Sequence, residues 1–340
     1  MFRKPVMLSL CAALAFAPLA AGQHVPPAQR NAALQYATVF YTTDADLFSK
    51  TGDVDLSKVG FDKAKAPEEF LAAAELLRTK GEGTVGALLE ASRLSKCDFE
   101  LATEKGIMVL LPHLGKMRGA ARLLRLDARR HLLDGDAAGA AERLAAMVRI
   151  GLHAKGDELL ISSLVSVAIT TAAMDETEAE LDSGLLTPAA RQTIAAAFEA
   201  MPKADPFATK AAIRGEQRIF LGWVREAFHG PHAGQELAKA CQMGMEGGAG
   251  EAEATRSISA MTDEQVRTSV DLLAPYYDQV VAAWDAPDGG AQLEKLGARV
   301  SGGEFGPMGQ VFAPAVSRAR DKDLQVRKRV ETLIGRLASK

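Results

Sequence analysis

Apolar residues recur along this chain three and four positions apart, and the runs are opened by proline and closed by glycine. The central stretch is the clearest. From Pro112 to about Asp134, Leu114, Met117, Ala121, Leu124, Ala128 and Leu132 fall on one side of a predicted helix. Gly135-Asp136 turns the chain into a return helix, Ala137 to Lys155, and Gly156-Asp157 turns it again into Glu158 to Leu181. Between Glu158 and Asp175 no charge occurs, and Leu159, Ile161, Leu164, Val165, Val167 and Ile169 cover almost every side. A helix apolar all round belongs in the middle of a bundle.

The flanks read the same way. Helices are predicted from Ala28 to Tyr41, from Pro67 to a stop at Gly81, and from about Thr84 to Ser95, with a polar, irregular 42–66 holding at most one short turn. Thr187-Pro188 and Asp205-Pro206 open helices to about Ala200 and Phe228. Thr262 with Gln265 makes a capping box for a helix to about Trp284. A charged helix closes the chain, from about Pro314 to Leu337. The expected fold is all-α: a multi-helix bundle of antiparallel hairpins, weakly tetratricopeptide-like around Gly135. Four glycines within 244–250 suggest a linker over 244–261, separating a bundle domain (23–243) from a C-terminal helical segment (262–340).

The first residues change the picture of where the chain works. Arg3 and Lys4, an apolar run from Val6 to Ala20, and Ala20-Ala21-Gly22 read as a signal peptide over 1–22, cleaved near Gly22-Gln23, with export to periplasm or exterior. Cleavage takes the net charge from −3 to −5, which offers no general attraction to nucleic acid. Cys97 and Cys241 then remain, and an oxidising compartment would let them pair if their backbones approach.

Chemical signals are sparse. Gly81-Glu82-Gly83-Thr84-Val85-Gly86 spells a dinucleotide fingerprint, but a helix precedes it where that motif needs a strand, so a helix–helix turn is the expected role. His229 and His232 form the one close histidine pair, with no further residue to complete a metal set. No cofactor or metal is expected. The sharpest feature is an arginine stripe: Arg118, Arg122, Arg125 and Arg129 align on one side of the central helix, beside the apolar stripe. Such a row can grip an anion bidentately, with His113 near the helix start, or pair with acids such as Glu142 or Glu158 of neighbouring helices. The last helix is basic, and contact with a membrane surface through 314–337 is the weaker expectation beside packing on the bundle.

Several short motifs occur in an order shared with a known group: Asn31-Ala32-Ala33 with Tyr36, Cys97-Asp98-Phe99, Leu110-Leu111-Pro112-His113-Leu114, Gly135-Asp136 with Ala140, and Leu160-Ile161-Ser162 with Leu164-Val165. Over about residues 28–225 the chain resembles a group of uncharacterised exported helical proteins of planctomycete bacteria. Phe99 stands where members of the group often carry Trp. The resemblance implies export and a helical architecture and supplies no catalytic residues. The expected function is therefore a non-catalytic interaction or structural role in the cell envelope, with another envelope protein as partner. The alternative is a hydrolase or anionic-ligand-binding protein using the arginine stripe and His113.

Overall fold

The computed structural model describes residues 30–244, 249–314 and 316–339. The expected signal peptide and its cleavage point lie outside them. Among the described residues the regular structure is helical, with one isolated bridge between Asn31 and Lys96. In chain order the helices are α1 (Ala32–Thr42), α2 (Ala45–Gly52), α3 (Glu68–Leu76), α4 (Glu82–Ser92), α5 (Pro112–Leu133), α6 (Ala137–Ala154), α7 (Leu160–Asp182) and α8 (Pro188–Glu199). They continue with α9 (Thr209–Ala227), α10 (Ala233–Gly244), α11 (Ala249–Ser259), α12 (Asp263–Trp284), α13 (Gly289–Ser301), α14 (Gly306–Phe312) and α15 (Ser317–Ala338).

Local chemistry sets most of these bounds. Pro112 and Pro188 occupy the first helical positions of α5 and α8, where a missing N–H costs nothing. Asp136 accepts from Gly139 N at 2.8 Å to start α6, and Thr262 and Gln265 form a reciprocal capping box on α12. Two boundaries differ from the pattern. Gly81 does not stop α3: a π-helical turn, Leu77–Gly81, carries the chain directly into α4. A Cβ on Gly81 would lie 2.8 Å from Leu77 Cδ2, so this glycine serves close packing rather than termination. Pro206 does not open α9 either. Asp205 instead accepts from Thr209 N and Lys210 N, across a left-handed Ala208, and the helix begins three residues later than Pro206.

α5, α6 and α7 run up, down and up, and form the centre of a bundle completed by α1–α4 and α8. Gly151 of α6 lies against α7, where a Cβ would meet Thr170 Oγ1 at 2.8 Å and the Ser166 carbonyl at 3.4 Å. Small residues there let the two helices approach closely. Tetratricopeptide-like character is not confirmed: α5 and α6 are 22 and 18 residues long, more together than a repeat of about 34 residues holds.

Among the described residues there are two hydrophobic cores. One gathers α1–α8 and returns for the second half of α15, through Val326, Val330, Leu333 and Leu337. The other is built from α9–α14 around Trp284 and Tyr277, both fully buried. The seam between them therefore falls near the start of α9, after Phe207 and before Ile213, and not at the expected 244–261 linker. Within that stretch α11 forms, burying Ala254 and Ile258. The irregular 42–66 segment holds α2 and two 3-10 turns, started by Asp44, Asp55 and Asp62.

Candidate functional site

The arginine stripe on α5 divides in two. Its lower half turns inward. Arg129 is buried and donates from Nε to Glu176 Oε1 at 2.6 Å, while Arg125 Nε reaches Glu176 Oε2 at 2.9 Å. Arg129 also donates to the carbonyl of Val59 and lies over the Phe61 ring, 4.0 Å from its centroid, so it ties the 53–66 strap to the bundle. The partner acid is thus Glu176 of α7. Glu142 and Glu158, the acids expected from sequence, hold Arg93 and Arg218 instead. Glu180, one turn beyond Glu176, is buried with neither carboxyl oxygen hydrogen-bonded. Burial, with Glu176 nearby, pushes it up to about 8, so it stays protonated at neutral pH. Ile169, Ala173, Glu176 and Glu180 follow one another at helical spacing, and this was the available signal that both acids lie on the inner face of α7.

His113 stands at the second position of α5, stacked on Phe99 at 4.0 Å between ring centroids. Its Nε2 donates to Asp157 Oδ2 at 2.8 Å, and the Ser162 hydroxyl donates to the same oxygen at 2.7 Å. Histidine, aspartate and serine meet here, but both donors converge on the carboxylate. Hydrolytic relay needs the serine proton directed at the imidazole. As built, the three groups pin the start of α5 to the start of α7.

Beside them Tyr36 bonds His153 Nδ1 at 2.9 Å, and His153 Nε2 bonds the Leu94 carbonyl at 2.9 Å. That carbonyl can only accept, so Nε2 carries the proton and the Tyr36 hydroxyl donates to Nδ1. Asn31 brackets Asp98, donating to its carbonyl at 2.7 Å and accepting from its N–H at 2.9 Å. Asn31, Tyr36, Asp98, His113 and Ser162 are therefore hydrogen-bonding pins between α1, the 94–99 loop, α5, α6 and α7. In the sequence Asp157 reads only as a turn residue and Ser162 only as part of a short motif, because neither spacing points to the imidazole of His113.

The upper half of the stripe turns outward. Arg118 and Arg122 are exposed, and neither forms a hydrogen bond or ion pair with the described residues. Arg122 lies over α2 at Gly52, where a Cβ would be 3.6 Å from its Nη1. The ties from His113 to Asp157 and from Arg125 to Glu176 show that α5 and α7 run parallel, so Arg118 and Arg122 lie level with about Ala168 on α7. Three aliphatics toward the N-terminal ends of the same two helices are exposed: Leu110 (81% exposed), two residues before α5, and Ile161 (48%) and Leu164 (37%) on α7. Helical spacing puts Arg118, Arg122, Ile161 and Leu164 on the same outer side of the α5–α7 pair.

Other sequence candidates are placed elsewhere. Cys97 and Cys241 are free thiols packed against different cores, so the pairing that an oxidising compartment would permit is not formed. Burial, reinforced by Asp157 and Asp98, pushes the Cys97 thiol up to about 12, which suppresses the reactive thiolate. His229 and His232 are exposed in the turn before α10, and among the described residues no group of three His, Cys, Asp or Glu side chains is placed to hold a metal. The basic α15 packs its apolar side on the bundle. Arg329 pairs with Glu178 and Asp175, Arg336 with Asp182, and Arg320 donates to the Trp284 and Ala286 carbonyls. No helix among the described residues is long and apolar enough to cross a membrane. Comparison with family models, with curated proteins and with solved structures returns no match.

Proposed function

We propose that this is an exported, non-catalytic interaction protein of the cell envelope, whose bundle presents the outer α5–α7 face to another protein. Export rests on the N-terminal pattern of Arg3 and Lys4, the apolar run and the small residues before Gln23. One observation carries the interaction reading. The groups suited to chemistry, His113, Asp157, Arg125, Arg129 and Glu176, satisfy one another inside the bundle. Arg118 and Arg122 stand exposed and without a partner among the described residues, and Leu110, Ile161 and Leu164 are exposed toward the start of the same two helices. Exposed aliphatic and arginine side chains together have the composition of a binding surface.

The test compares proteins captured from native envelope extract by the full chain and by a Leu110→Asp variant. At 81% exposure that change cannot disturb the core. A partner held by the parent and lost by the variant supports the reading. Equal capture by both proteins, or turnover of an envelope substrate by the folded chain, contradicts it.

A further inference from the structure

We infer that the partner segment is an acidic amphipathic helix, laid along the α5–α7 face with carboxylates on Arg118 and Arg122 and its apolar side on Leu110, Ile161 and Leu164. This rests on the interaction reading above and adds the chemistry of what is bound.

The argument starts from what the arginines lack. Arg125 and Arg129 of the same stripe hold Glu176, and on α9 Arg214, Arg218 and Arg225 each hold an acid. Arg118 and Arg122 hold none. They are one helical turn apart, a spacing of about 5–6 Å between Cβ atoms. Two carboxylates four residues apart on a facing helix have the same spacing, so each guanidinium fork can take one bidentately. Gly52 has no side chain beside Arg122, where a Cβ would come within 3.6 Å of Nη1.

The apolar part has helical form as well. Ile161, Leu164 and Ala168 recur at three and four residues on the exposed side of α7, which gives a ridge that another helix can pack against. Burying three aliphatic side chains supplies affinity, and the two charge pairs fix register. An anionic membrane fits less well. Polybasic membrane contacts use about four to eight cations, and the whole chain is net acidic at −3.

The experiment uses the full chain and two synthetic helical peptides about five turns long. Both carry leucines on one side; one carries glutamates at i, i+4 on the other, and the second carries lysines there. We expect saturable binding of the glutamate peptide that weakens with salt. Arg118→Glu with Arg122→Glu is expected to raise its Kd about tenfold or more, and the reversed variant is expected to prefer the lysine peptide. Both side chains are exposed, so the variant keeps its fold, checked by circular dichroism. The inference is overturned by no binding of the glutamate peptide, by a Kd indifferent to the reversal, or by equal binding of both peptides. Co-sedimentation with phosphatidylglycerol vesicles in place of peptide binding also overturns it and assigns the face to lipid. If Leu110→Asp loses a captured partner while the charge reversal keeps it, the interaction reading stands and the acidic-helix inference alone fails.

Discussion

At Glu176 a single carboxylate with no exposed surface satisfies Arg125 and Arg129 together, and the Arg129 side chain has almost none itself. Replacing it by glutamine leaves a buried guanidinium short of charge. We expect Glu176→Gln to cost about 3 kcal/mol of unfolding free energy, read from urea denaturation; a loss within about 0.5 kcal/mol would show that the pair is not what holds the strap. Glu180 gives the opposite sign. Its carboxyl titrates near 4.5 when the chain is unfolded and at about 8 when folded, and Glu216 shifts likewise to about 7 through burial. The unfolded chain therefore gives up protons that the folded chain keeps. This contribution to stability is whole below about pH 4.5 and falls as the pH rises through 7 and 8. Glu180→Gln is expected to be more stable than the parent at pH 8 and to have a flatter stability–pH curve. If the two curves run parallel between pH 5 and 8, Glu180 is ionised in the folded chain. The arginine stripe was legible in sequence because four cations at steps of four, three and four can only align. Its answering acid was not, since the contact of Arg125 with residue 176 depends on tertiary packing rather than spacing.

Among the elements, the start signals with a side-chain mechanism were the readable ones. Thr262 and Gln265 close their capping box as the spacing implied, and Thr262→Ala is expected to cost about 1 kcal/mol by thermal denaturation. Boundaries set by packing could not be read. The π-turn at Leu77–Gly81 and the delayed start of α9 after Ala208 depend on what lies across from them. Gly215 is the sharpest case: a Cβ there would sit 2.0 Å from the Glu158 carbonyl, which the left-handed turn before α7 brings against α9. Gly215→Ala should lower the unfolding free energy by about 2 kcal/mol or more, read from urea denaturation, because backbone lies in the way and cannot rotate aside. A neutral result would mean that α7 and α9 are not in such close contact. Nothing about an isolated Gly-Glu pair inside a polar helix announces that contact in the sequence.

For the whole molecule, the helical class and the central α5–α6–α7 stack follow from hydrophobic period and turn glycines alone. The division into two cores does not. α15 leaves the second core to complete the first, and Trp284 Nε1 donates to buried Asp323 at 3.0 Å across that junction. Such a return is set by which exposed seams remain once the rest has packed, and no local pattern encodes it. The glycines at 244–250 looked like a boundary because composition marks flexibility, whereas a core is defined by contacts. The outer α5–α7 face emerges at this scale as well, since it needs two helices aligned by His113 and Glu176 before its arginines and aliphatics become one surface. Site-specific cross-linking probes that claim most directly. A photoreactive residue replaces Leu164 in the full chain, with exposed Glu294 on α13 as the control position. The account predicts one dominant protein adduct from position 164 in intact cells and none from 294. No adduct at 164, or the same adducts from both positions, would contradict it.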